Sequence, residues 1–168
     1  MYDMKLFNKL KKWSGKWLKK SFDLEKYEFD KIIIDKEVID NIIELAKQTY
    51  PKEFIAFLEG KTENPKFSEY SQKANKSRKK VMRVYGLAYQ EYYANEHSTL
   101  SKINFPITSN IVGSIHSHPG PSNRPSNADL HFFSKRGLVH LIIKTPYRTE
   151  DIQGYDVNGN PITFEVEG

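Results

Sequence analysis

The sequence predicts one α/β or α+β layered domain. Short apolar runs of strand length recur along the chain, mixed with two internal helical stretches and no internal repeat. The length of 168 residues suits one domain with a real core. No apolar run approaches the roughly 18–20 residues that a spanning helix needs.

The first element is a basic prefix. The chain holds 26 Lys and Arg against 21 Asp and Glu, but seven lysines and only one acid fall in residues 1–20. The body is therefore close to neutral, which argues against nucleic-acid binding inferred from overall charge. At about 100° per residue, Tyr2, Leu6, Leu10, Trp13 and Trp17 share one helical stripe with lysines around the rest. We expect a basic amphipathic helix over 1–22, separate from a folded domain over 30–168. Two placements fit it: packed on its own domain, or lying on an anionic membrane or a partner through residues 1–20. Lysines interrupt every apolar stretch, so no secretory h-region forms.

Within the domain, Ile32-Ile33-Ile34 reads as a strand. Asp35 is an N-cap for a helix through about Lys47, burying Val38, Ile39, Ile42, Ile43 and Ala46. Pro51 ends that region, and Phe54 to Leu58 is a buried strand closed by Gly60. Residues 61–80 are polar and read as a loop. Strand texture resumes at Val81, Val84 and Leu87, as far as Tyr93, and a second polar stretch follows. Ile111 to His116 is a strand, Ser126 or Asn127 caps a short helix through Arg136, and Leu138 to Lys144 is a buried strand. The tail, Ile152–Val157 and Ile162–Val166 about Asn158-Gly159, carries a hairpin signal.

The absence of cysteine excludes disulfides, thiol nucleophiles and Cys-ligated zinc, and fits a cytoplasmic protein, with membrane-peripheral placement left open by the prefix. No glycine-rich phosphate loop is present. The run Lys73, Lys76, Arg78, Lys79, Lys80 lacks the aromatic interleaving of single-stranded nucleic-acid sites.

The chemistry concentrates in Ser114-Ile115-His116-Ser117-His118-Pro119. On a strand, alternation turns both imidazoles to one face, where they can present two nitrogens to one metal. Pro119 and Gly-Pro-Ser-Asn-Arg-Pro then force the chain into a loop leading to Ser126, with Asp129 in the first turn of the next helix. Two histidines plus a carboxylate, with an open fourth position, is the pattern of catalytic rather than structural zinc. An ordinary helix N-terminal charge is the plain alternative for Asp129. His97, His131 and His140 lack the spacing and read as surface or packing histidines.

His116-Ser117-His118-Pro119, with seven residues between His118 and Ser126, then Ser126-Asn127-Ala128-Asp129, resembles the signature of the JAMM (MPN+) metalloproteases. Pro51-Lys52-Glu53-Phe54-Ile55-Ala56-Phe57-Leu58-Glu59-Gly60 is similar to that family's glutamate-bearing segment, with Ala56 departing from its usual Cys or Gly. The resemblance spans about residues 30–145. It implies a mixed β-sheet flanked by helices, of the cytidine-deaminase-like kind. It further implies one zinc per chain on His116, His118 and Asp129, with Glu53 as general base and Ser126 hydrogen-bonding the oxyanion or the water. The implied activity is hydrolysis of the amide after the C-terminal glycine of a ubiquitin-like modifier or sulfur-carrier protein, as in the family's prokaryotic and archaeal branch. Two rival expectations are a non-catalytic scaffold of the same fold and a membrane-associated interaction protein. The modifier and the oligomeric state are not expressed in the sequence.

Overall fold

The computed structural model describes residues 29, 31–63, 80–89, 92–94, 99–101, 110–135 and 137–168. The chain enters the sheet through β1 (Lys31–Asp35) and turns at once into α1 (Lys36–Thr49). Asp35 occupies the N-cap position, but its side chain does not cap the helix. It meets the Arg83 guanidinium at 2.7 Å instead. Val38, Ile39, Ile42 and Ala46 recur at helical spacing and bury one face of α1, while Ile43 is half-buried at its margin.

After Pro51 the chain forms β2 (Ile55–Glu63), which does not stop at Gly60 as the sequence suggests. The pairing shifts register at this point against both neighbouring strands. A Cβ on Gly60 would stand 2.6 Å from the Arg83 carbonyl oxygen and 2.7 Å from a Val112 methyl. The glycine thus marks a bulge and a close approach inside a strand, not its end. Residues 61–63, expected in a loop, belong to β2; residues 64–79 lie outside the described set.

β3 (Val81–Ala88) ends earlier than its texture suggests. The residues near Tyr93 form β4 (Tyr92–Ala94), paired antiparallel with β5 (Thr99–Ser101) in a separate two-stranded ribbon. β6 (Ile111–His118) runs through both histidines of the motif. Next come α2 (Asn127–Phe133), β7 (Val139–Lys144), a short 3₁₀ turn at Thr149–Asp151 and β8 (Ile152–Tyr155).

The tail departs from a simple hairpin. β8 pairs antiparallel with β9 (Pro161–Ile162) about Gly159, whose φ of 79° a turn glycine supplies without strain. The rest of the expected second arm leaves that edge. β10 (Glu165–Glu167) lies parallel to β1 on the opposite side of the sheet. Charge pairs hold it there, with Arg83 to Glu167 at 2.6 Å and Lys31 to Glu165 at 2.7 Å.

The main sheet is mixed, in the order β10-β1-β3-β2-β6-β7-β8-β9. Its two faces are chemically unlike because side chains alternate along each strand. One face packs Ile32, Ile34, Ala56, Leu58, Met82, Val84, Ile115, Leu141 and Ile143 against α1. The other gathers Ile142 and Tyr155 around Phe133 of α2. β6 and β7 are parallel, so their connection must cross over, and α2 is that crossover. The expected layered α+β architecture with a mixed sheet and flanking helices is the one observed. The helix expected over 1–22 lies outside the described residues. Among the described residues no helix is long and apolar enough to cross a membrane.

Among the described glycines, the tightest approach to a neighbouring backbone lies just before the histidines. A Cβ on Gly113 would fall 1.5 Å from the Val139 carbonyl oxygen, and Gly137 at φ 78° brings the entering chain against Gly113. Gly113→Ala should therefore cost at least about 3 kcal/mol, beyond ordinary overpacking because backbone must move. Chemical denaturation of the variant against wild type measures it.

Candidate metal centre

β6 delivers the histidines. Because the strand continues through His118, both rings project to the α2 face, as alternation requires. The segment 119–126 carries the chain from the sheet to α2, and Ser126 starts that helix with a reciprocal cap. The Ser126 hydroxyl accepts from the Asp129 backbone N–H at 3.2 Å, and the Ser126 N–H donates to Asp129 Oδ2 at 2.7 Å. The hydroxyl also donates to the same carboxylate oxygen at 2.7 Å. The cap role expected of Ser126 is thus present, and its proton is spent on Asp129 in this state.

Asp129 faces both imidazoles. Its Oδ1 lies 3.1 Å from His116 Nδ1, and its Oδ2 lies 3.6 Å from His118 Nε2. Burial alone would push this carboxyl up. The hydrogen bonds from His116, His118 and Ser126 overcome that and hold it well below the usual carboxylate range. Burial likewise disfavours a charged His118, yet Asp129, the Ser122 carbonyl and the Glu53 charge together raise its pKa.

Glu53 arrives from the other side of β6. Ile55 pairs with His116 in the antiparallel register, and Ser117 N–H donates to the Phe54 carbonyl at 3.0 Å. Continuing that register sets Glu53 across from His118 and on its face of the sheet. So the fold brings His116, His118, Asp129 and Ser126 together and puts Glu53 at their edge.

The donor set fits zinc in kind: two imidazoles and a carboxylate, without competing thiols. Two details of the rings fit as well. His118 Nδ1 donates to the Ser122 carbonyl at 3.0 Å, a common support for a ligating histidine, and this turns Nε2 toward Asp129. His116 Nε2 is buried without a hydrogen-bond partner. As they stand, the three side chains are paired with one another. Among the described residues no three of His, Cys, Asp and Glu are grouped around a common point.

The sequence did not single out the packing around His116. Phe132 and Phe133 both present edge-type contacts to its ring, at 5.3 and 6.1 Å between centroids. Their place three and four residues after Asp129 on a helix was the available signal. His140 is fully buried, stacked on Phe133 at 4.1 Å and paired through Nδ1 with Ser114 Oγ at 2.9 Å. Burial, aided by His116, pushes it down to about 3, so it is a neutral packing histidine. His131 lies on the α2 surface beside Lys135, and His97 falls outside the described residues.

These shifts set a pH dependence for the metal-free chain. Asp129 is depressed on folding, so its contribution is present above the unfolded carboxylate pKa of about 3.9 and is lost as pH falls through the folded value. His118 is raised, so its contribution is complete below about 6.5 and is lost as pH climbs through the higher folded value. Stability measured by urea denaturation in chelator should therefore fall on both sides of a maximum near pH 5–6. Asp129→Asn should flatten both limbs.

Comparison with known proteins agrees with this geometry. Residues 35–156 match the family described as prokaryotic homologs of the JAB domain. A probable metalloprotease of Haloferax volcanii is 31% identical over 135 residues, covering 77% of this chain and 76% of that protein. Among solved structures, one described as JAMM, a metalloprotease-like zinc site in the proteasome and signalosome, superposes with a TM-score of 0.56. It is 26% identical over 82% of this chain and 99% of that one. A JAB1/MPN domain protein from Archaeoglobus fulgidus gives the same TM-score at 25% identity, over 83% of this chain and 99% of that one. With its mixed sheet, and with Asp129 of α2 facing both histidines of β6, this chain belongs to the JAB/MPN (JAMM) family of its prokaryotic branch.

Proposed function

We propose that this protein is a zinc-dependent peptidase or isopeptidase that hydrolyses the amide after the C-terminal glycine of a ubiquitin-like modifier or sulfur-carrier protein. The observation that carries the reading is the convergence of His116 and His118 on Asp129 with Glu53 across from His118. The probable metalloprotease from Haloferax volcanii and the zinc site ascribed to the JAMM structure support it. A scaffold role is disfavoured because His116, His118, Asp129 and Glu53 are all retained in the sequence.

His116, His118 and Asp129 would hold the ion. Bound there, zinc would lower the pKa of a water from about 15.7 toward about 7 and polarise the scissile carbonyl. Glu53 takes the proton of the attacking water and returns it to the leaving amine, a role typically contributing about 10²–10⁴ in rate. Ser126 keeps the Asp129 carboxylate aimed at the histidines. When that carboxylate turns to another partner, its hydroxyl proton is released for the substrate's carbonyl oxygen. A C-terminal glycine suits the reading because a residue without a side chain can pass close to the backbone around His118.

Metal analysis with cleavage of a linear or isopeptide-linked modifier fusion tests this. Wild type should carry about one zinc per chain and cleave the fusion. His116→Ala should lose the metal, and Glu53→Gln should keep it while losing at least about a hundredfold in rate. A Glu53→Gln protein of full activity would sink the mechanism.

A further inference from the structure

The histidine face of the sheet ends in a row of charged side chains. His118 pairs with Lys144 across β6 and β7, and partners in a ladder share a face. Ile143 pairs with Ile152, so the next position sets Asp151 opposite Lys144, and their ion pair at 3.7 Å agrees with that register. On the other side Ile55 pairs with His116, and the next residue of that face is Glu53. The rows beneath, His116 with Ile142 and Ser114 with His140, lie buried under α2. Lys144 therefore stands on the rim of the site, one strand beyond His118.

The charge of this lysine is not spent. Its side chain is 30% exposed, and 3.7 Å to the nearest Asp151 oxygen is too long for a hydrogen bond. Asp151, nearly fully buried, does not depend on it. The Asp151 Oδ2 accepts from the Arg148 backbone N–H at 3.0 Å and from Arg148 Nε at 3.1 Å. Lys144 can thus turn to another anion without leaving a buried carboxylate unpaired. The loop that follows His118 lies against the same turn, with Asn123 Nδ2 donating to the Asp151 carbonyl at 3.3 Å. A lysine present only to balance Asp151 would repeat what Arg148 already does.

We propose that Lys144 is a specificity-determining residue whose ammonium takes a carboxylate side chain one or two residues before the terminal glycine of the substrate's acyl part. The proposal rests on the peptidase reading above. In that reading Glu53 returns a proton to the leaving amine, so the amine lies on the β2 side of His118. The acyl part then runs over β7, where Lys144 stands. Neighbouring strands are about 4.8 Å apart and an extended chain rises about 3.3 Å per residue, which sets the reach at one or two residues. An ammonium is a compact charge with three donors, suited to a carboxylate.

Binding and cleavage test it separately. Three fluorescein-labelled peptides ending in glycine amide carry Glu, Gln or Lys at both positions before the glycine. Fluorescence anisotropy measures their affinity for the full-length, zinc-loaded Glu53→Gln protein. The Glu peptide should bind at least about threefold tighter than the Gln peptide, with the gap narrowing as salt is added. In the same background Lys144→Gln should abolish the preference, Lys144→Arg keep it, and Lys144→Glu shift it to the Lys peptide. Equal affinities for the Glu and Gln peptides, or a preference that survives Lys144→Gln, overturn the proposal. A lysine that only balances Asp151 gives the second of these results, with Lys144→Gln less stable and the peptide ranking unmoved. Cleavage by the chain with Glu53 intact separates the two readings. Turnover of all three peptides at one KM sinks the carboxylate contact and leaves the peptidase. A binding preference that depends on Lys144, without turnover of any peptide, leaves the contact and sinks the peptidase.

Discussion

The Asp129 carboxylate is the group on which the geometry of the site turns. It closes the first turn of α2 through Ser126, and it faces the two imidazoles that β6 carries. A buried carboxylate is costly unless it is paired and hydrogen-bonded, so the chain from His118 to Ser126 must be delivered in one conformation. The contacts of that segment show how. The Gly120 carbonyl accepts from Thr145 N–H at 3.3 Å and from its hydroxyl at 2.9 Å. The Asn123 carbonyl accepts from the Tyr155 hydroxyl at 2.8 Å, and the Ser122 carbonyl from His118. Backbone groups that a loop would expose to water are tied to β7, β8 and the site itself. The loop is fixed by the sheet, and Asp129 is fixed by the loop.

Alternation along the strands separates stability from chemistry. The α1 face of the sheet is predominantly apolar, with the buried Ser117 hydroxyl spent on the Phe54 N–H. Ser114, His116 and His140 are buried on the opposite face, under α2. A polar face of this kind is tolerable because its members satisfy one another or lie against aromatic rings. The His140 ring stacked on Phe133, and Phe133 edge-on to His116, form a column that leaves the His116 imidazole little freedom to turn. Packing of this kind fixes the orientation in which the His116 ring meets Asp129.

How much of this could be read from the sequence follows from the range of each interaction. The histidine pair, the Ser126–Asp129 cap and the α1 stripe are local patterns set by periods of two and 3.6 residues, and all three are legible in sequence. Glu53 was not legible on its own chemistry. Its place opposite His118 depends on the register between β2 and β6, and only the family resemblance pointed to it. Gly60 was misread because a glycine that ends a strand and one that admits a close backbone look alike until the Val112 and Arg83 contacts exist. The path of β10 was likewise hidden, since its partners on β1 and β3 lie at the other end of the chain's order in the sheet.

The place where the site opens follows from the sheet's own mismatch. β6 is antiparallel to β2 and parallel to β7, and the two ladders stop at different heights. On the β7 side the pairing continues to His118 and Lys144. On the β2 side it ends at Ile55 and His116, with one more backbone bond from Ser117 to Phe54. The Ser117 hydroxyl takes over there, accepting the Phe54 N–H at 2.8 Å. That substitution lets β2 leave the ladder without stranding a buried donor. Glu53 directly precedes Phe54 at this end of β2, and its charge acts on His118. His118 itself is pinned by β7 and by the Ser122 carbonyl. The histidine pair therefore stands where β6 is still held by β7 and has just lost β2, so the sheet opens on the β2 side of His118.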